Sequence, residues 1–274
     1  MEKTKLGIVL LALLLLATAL SACGNQVATT EDEEKIIKLG ITGPETEEWT
    51  YLKEQLAEEG ITLEIVSFSD YTRPNLALAE GEIDINAFQH YAFFDQFIED
   101  HDLDLTAIGE TIIAPLGLYS EKVESIEDVT EGAKIAIPND ETNRGRSLVL
   151  LQTAGLIELD PDVEGLPTLQ DIIKNPLNLD IIEVEAATTP RMLEDVELSI
   201  INSTIAVDAG FIPTEDSVFL EPVDENTKPY INIFAARTED KDDPNLKKLL
   251  ELYHTDEVKE IINRIYKGSQ IPNW

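Results

Sequence analysis

Arg146 is the side chain whose type and setting most directly suggest binding chemistry. It follows the strand-like run Lys134–Pro138 and a polar loop, close to the start of a helical stretch. A helix N-terminus favours an anion through its dipole and free N–H groups, and a planar guanidinium grips a carboxylate with two parallel hydrogen bonds. Composition alone supports a blander account: among 54 Asp and Glu, an arginine paired with a surface acid needs no ligand. Asn202 and Asn232 lie in or at the end of apolar runs, where an unpaired buried amide costs about 1–3 kcal/mol. Each therefore meets either ligand polar groups or the backbone of a turn or crossover.

Catalytic constellations are missing from the sequence. No Gly-x-Ser-x-Gly elbow occurs, paired carboxylates carry no information among 54 acids, and the one cysteine, Cys23, sits next to an apolar N-terminal run. His90, one of three histidines, has no His/Cys/Asp/Glu cluster at metal-ligand spacing around it and reads as a hydrogen-bonding residue at the mouth of a helix. The sequence therefore predicts a binding protein rather than an enzyme, with no metal and no cofactor. A net charge of −34 argues against nucleic acid and against adhesion to anionic headgroups as partners. With 43% hydrophobic residues, the acidity reads as a solubilising surface over an ordinary core.

The first 22 residues read as a secretory signal: a charged start, MEKTK, then an apolar run from Leu6 to Leu20 that is short for a transmembrane helix. It ends in Leu20-Ser-Ala-Cys23, which resembles a bacterial lipobox and implies lipidation of Cys23. A plain cleaved signal that happens to carry a cysteine is the alternative. Residues 23–35 are polar and acidic without apolar period, an expected flexible tether. The implied location is the extracytoplasmic face of the cell membrane, with contact to the bilayer through the anchor only.

The elements that must position the candidate residues alternate. Ile36–Ile41 reads as a strand, Trp49–Glu59 as a helix, Leu63–Phe68 as a strand, Asp70–Gly81 as a helix with Pro74 in its first turn, Ile83–Ala87 as a strand and Phe88–Asp100 as a helix. Thr111–Tyr119 is extended, but Pro115 and Gly117 argue against an ordinary central strand, so it reads as a crossover. The logic then repeats: strand Lys134–Pro138, loop and helix Asn139–Gly155, strand Asp180–Glu185, helix Thr189–Val196, strand Leu198–Asn202. Tyr230–Arg237 reads as the last strong strand and 245–266 as one or two amphipathic helices. Alternation of strands and helices predicts α/β architecture. Two lobes, 36–115 with 228–274 and 116–227, would leave a cleft at the carboxyl ends of the strands.

The motifs become specific at this point. Phe68-Ser-Asp-Tyr71 with Pro74–Leu78, Gly81–His90, Ile137-Pro-Asn-Asp140 with Thr142–Arg146, Glu185-Ala-Ala187 with Pro190-Arg191, Ile201-Asn202 and Pro229-Tyr-Ile-Asn232 run in the order found in the NlpA/MetQ-type methionine-binding lipoproteins, which the chain resembles from the lipobox to Trp274. The resemblance implies a two-lobed, type II periplasmic-binding-protein fold with an interlobe cleft. It implies a lipid-anchored, monomeric protein that captures methionine or a related amino acid for the permease and ATPase of an ABC importer. It places Tyr71, Phe88, His90 and Phe93 on one wall and Arg146, Asn202 and Asn232 in a polar clamp, and it leaves Arg144 to solvent. A thioether would pack well against the aromatic wall, whereas Phe94 and Phe97, at helical spacing from Tyr91, read as core.

Two positions depart from the family pattern. His90-Tyr91-Ala92-Phe93 stands where the family usually has His-x-Pro-Tyr, and Ile205 stands near a usual tyrosine. Both changes remove a hydroxyl, and buried polar groups dominate discrimination, so another amino acid or a methionine-containing dipeptide stays open as ligand. A surface lipoprotein serving adhesion or sensing is the competing function. Trp49 either shapes the cleft or staples a helix.

Overall fold

The computed structural model describes residues 35–274; the expected signal segment, Cys23 and the tether up to Glu34 lie outside the described residues. The chain opens with β1 (Lys35–Thr42), α1 (Glu47–Glu58), β2 (Ile61–Phe68), α2 (Arg73–Ala79), β3 (Ile85–His90), α3 (Tyr91–His101) and β4 (Leu105–Ile113). It continues through β5 (Gly117–Tyr119), β6 (Lys134–Pro138), α4 (Glu141–Thr153), β7 (Glu158–Leu159), β8 (Ile172–Lys174), β9 (Asp180–Val184), α5 (Thr189–Met192) and β10 (Leu198–Ile201). The last part holds α6 (Ser203–Asp208), α7 (Pro213–Asp216), β11 (Phe219–Leu220), β12 (Ile231–Arg237), α8 (Pro244–Tyr253), α9 (Asp256–Tyr266) and β13 (Ile271–Pro272).

Two sheets organise these elements, in the orders β13-β4-β12-β3-β1-β2 and β11-β5-β10-β6-β9. Each has a parallel part built from strand-helix-strand units, β3-β1-β2 and β10-β6-β9, as crossover connections require. Antiparallel strands then join: β12 lies between β3 and β4, and β5 runs against β10. Because β12 follows the second sheet in the chain but pairs in the first, the chain crosses between sheets twice. The first crossing, residues 114–116, lies between β4 and β5, and the second lies between β11 and β12. Residues Lys35–Trp274 form one compact unit. Leu39, Leu52, Phe234 and Leu249 sit in the core of the first sheet, and Leu118, Ile135, Leu148 and Ile200 in that of the second.

The sequence reading of Thr111–Tyr119 as one extended crossover is corrected. Its start is the end of the nine-residue strand β4, and Gly117–Tyr119 is a strand of the second sheet. The breaker signals of Pro115 and Gly117 hold only for the crossing itself. At Gly117 a Cβ would lie 2.5 Å from the Tyr119 ring, which accounts for glycine there. The boundary between β3 and α3 also moves: the strand runs on to His90 because β12 pairs with it that far, Asn232 opposite His90. Phe88 is therefore a strand residue. The helix expected from Asp70 starts at Arg73, since Asp70 Oδ1 accepts from Thr72 N (2.8 Å) and Arg73 N (2.9 Å) and holds a turn ahead of it. The helix expected over 189–196 is shorter, Thr189–Met192. Among the described residues no helix is long and apolar enough to cross a membrane.

Candidate ligand-binding site

Tyr71, Phe88, His90, Phe93, Arg146, Asn202 and Asn232 all border one cavity, together with Gln89, Ala114, Asn143, Ser203 and Thr204. The first sheet and its helices supply the aromatic side. Phe88 and His90 end β3, Phe93 lies in the first turn of α3, and Tyr71 precedes α2. Tyr71, Phe88 and Phe93 form a triangle with ring centroids 5.9–6.0 Å apart, tilted or edge-to-face. Burial pushes the Tyr71 hydroxyl far above its ordinary range, so it stays a neutral donor and acceptor.

His90 caps α3. Its Nδ1 accepts from Phe93 N at 3.1 Å, which leaves the proton on Nε2, 3.4 Å from Asn143 Oδ1. Burial, aided by the nearby Arg146 charge, lowers its pKa to about 3, and the imidazole is neutral. Asn143 lies on α4, whose N-cap Asp140 accepts from Asn143 N (2.9 Å) and from Asn143 Nδ2 (2.9 Å). With its amide nitrogen bound there, Asn143 presents Oδ1, which accepts from Asn202 Nδ2 at 2.8 Å. Asn202 must then turn its own Oδ1 the other way. That oxygen is buried and has no protein partner. The chain of amides thus fixes an unsatisfied acceptor on a cavity-lining residue.

Arg146 lies one turn further along α4, and its side chain is 3% exposed. Its Nε donates to Glu221 Oε1 (2.8 Å), and its Nη2 donates to Glu221 Oε2 and to Ala114 O (3.1 Å). The Tyr230 ring lies under it, 4.2 Å from Cζ, where the ring face attracts the cation. The guanidinium is immobilised by its outer edge, and Nη1 takes no part in those bonds. Asn232 stands across from His90 on β12, one position after β12 begins.

Sequence reasoning missed Asn143, Tyr230 and Glu221. Asn143 lies three residues before Arg146, on the same face of a helix, and Tyr230 ends the 3-10 turn that leads into β12, two residues before Asn232. Those spacings were a usable signal. Glu221 had none among 54 acids. Arg144 is corrected: it is half-buried rather than in solvent, and its Nε is buried without a partner. Phe94 and Phe97 are buried, and Phe97 also borders a larger cleft of about 1750 Å³ that Tyr71, Phe93 and Ile205 share. Trp49 stacks on Tyr253 (5.6 Å) inside the first core while bordering a neighbouring space of about 650 Å³. Among the described residues no group of three or more His, Cys, Asp or Glu is placed to hold a metal.

Two α/β sheets joined by two crossings, with one cavity lined by a buried arginine and by an asparagine whose amide oxygen is unsatisfied, define the class of two-lobed substrate-binding folds. The NlpA lipoprotein family model matches residues 37–274, and the chain belongs to that family. It is 39% identical to the D-methionine-binding lipoprotein MetQ of Escherichia coli over 260 residues, 93% of each chain. Among solved structures it resembles a nutrient-binding protein from Burkholderia cenocepacia bound to methionine, at 40% identity and TM-score 0.82, covering 87% of this chain and 100% of that one. It also resembles the substrate-binding protein of a methionine transporter from Streptococcus pneumoniae, at 39% identity and TM-score 0.82, covering 87% and 96%.

Proposed function

We propose that the chain captures methionine in the cavity between its sheets and hands it to an ABC importer, while a lipid on Cys23 holds it at the extracytoplasmic face of the membrane. One observation carries the reading: Asn202, whose Oδ1 is buried and unpartnered, lines the same cavity as Arg146. A buried acceptor with no partner costs about 1–3 kcal/mol, and a ligand ammonium removes that cost while Arg146 Nη1 takes the carboxylate. Tyr71, Phe88 and Phe93 then take the side chain, for which a thioether is well suited. His90 and Asn232 complete the walls. The methionine-binding relatives support the ligand, and their transporter setting supports the partner.

Thermal melting of the purified protein with L-methionine, D-methionine and methionine-containing dipeptides tests the reading. A ligand at 100 times its Kd adds about 2.7 kcal/mol, a rise of roughly 5–10 °C for a chain of this size. Arg146→Ala abolishes the rise measured against its own unliganded melting point, whereas Arg144→Ala, outside the cavity lining, retains it. No rise with any of these ligands overturns the ligand assignment.

A further inference from the structure

We propose that Glu221 sets the charge class of the ligand: by pairing with Arg146 it leaves the clamp without net charge, so the cavity selects a zwitterion over a net anion carrying the same side chain. The inference rests on the amino-acid capture reading and adds to it a residue that the ligand does not touch. Glu221 follows β11 directly, at the start of the second crossing. Both of its oxygens are committed: Oε1 accepts from Arg146 Nε (2.8 Å), and Oε2 accepts from Arg146 Nη2 and from Leu116 N (3.0 Å) in the first crossing. Its side chain is 12% exposed, so solvent screens the pair weakly.

A solitary buried arginine would make this cavity a trap for any anion. With Glu221 bound to it, the guanidinium still offers Nη1 as a directed donor, but the long-range field of its charge is cancelled. Among the described residues that line the cavity Arg146 is the one cation: His90 is neutral, and Asp140, which holds Asn143 from behind, is negative. A ligand that brings only a carboxylate therefore brings an uncompensated charge into a low-dielectric space. One that brings an ammonium as well places it at Asn202 Oδ1 and enters neutral. Glu221 is thus a positioning residue acting through Arg146, and it reaches substrate choice through charge balance.

Calorimetry on the full-length protein compares methionine with its α-hydroxy acid, which keeps the side chain and carboxylate and replaces the ammonium by a hydroxyl. The wild type favours methionine. Glu221→Gln keeps the shape and an acceptor oxygen but leaves Arg146 with its full charge, so the ratio of hydroxy-acid Kd to methionine Kd falls by about tenfold or more. A merely structural role would weaken both ligands by the same factor, and an unchanged ratio overturns the proposal. Should the variant not fold, the wild type still decides: equal affinity for the two ligands overturns it. A wild type that binds neither but binds another amino acid removes methionine alone, and the same comparison with that amino acid and its hydroxy acid then decides the charge inference.

Discussion

Replacing Arg146 by Met should destabilise the protein far more than replacing both Arg146 and Glu221 by apolar residues. The two side chains are 3% and 12% exposed, and Glu221 keeps only Leu116 N as a partner once the guanidinium is gone. Breaking a buried ion pair by removing one member costs about 3–5 kcal/mol, since the other charge stays buried. At roughly 2–4 °C per kcal/mol for a chain of this length, the melting point falls by about 10 °C. Arg146→Met with Glu221→Leu removes both charges and strands only Leu116 N and the Ala114 carbonyl, at about 1 kcal/mol each. The double variant is thus expected to lose about 2 kcal/mol, well short of the about 8 kcal/mol summed over the two singles, which leaves a coupling energy of about 6 kcal/mol in the cycle. Denaturant melts of the four proteins measure it. The double variant also shows no ligand-induced rise, which separates the pair's part in stability from its part in binding. Additive losses would refute the argument, because the charges would then be solvated independently.

Two further outcomes follow from the same chemistry. His90 has a folded pKa of about 3 against 6.5 for the free group, so the unfolded chain takes up a proton that the folded chain refuses. Stability is therefore full above pH 6.5 and falls toward pH 3, by about 2 kcal/mol at pH 5. Asp208, raised to about 6 by partial desolvation, acts with the opposite sign between pH 6 and 4 but more weakly, because its side chain is exposed. In an Asp208→Asn background, His90→Gln should flatten the pH 6.5 to 5 slope; an unchanged slope counts against a buried neutral imidazole. For the anchor, Cys23→Ser should move the protein from the membrane to the soluble fraction in cell fractionation, and retention at the membrane would remove the lipid assignment.

Much of the molecule was legible along the chain because it rests on local chemistry. Alternating strand and helix periods marked β1, β2, β6, β9, β10 and β12, whereas Tyr71, His90, Arg146, Asn202 and Asn232, which border one cavity, were named through the family resemblance of their motifs and not by local chemistry. Apolar period and turn chemistry act over a few residues, so the sequence by itself determines them. The tertiary structure alone decided which groups meet across long separations. Glu221 lies 75 residues beyond Arg146, so no spacing connects it with the arginine it neutralises. Asn143 and Asn202, 59 residues apart, orient each other only once α4 and β10 are packed. The extension of β3 to His90 depended on β12 pairing beside it. Types and short-range spacing come with the chain; charge balance and amide orientation come from neighbours that folding brings together.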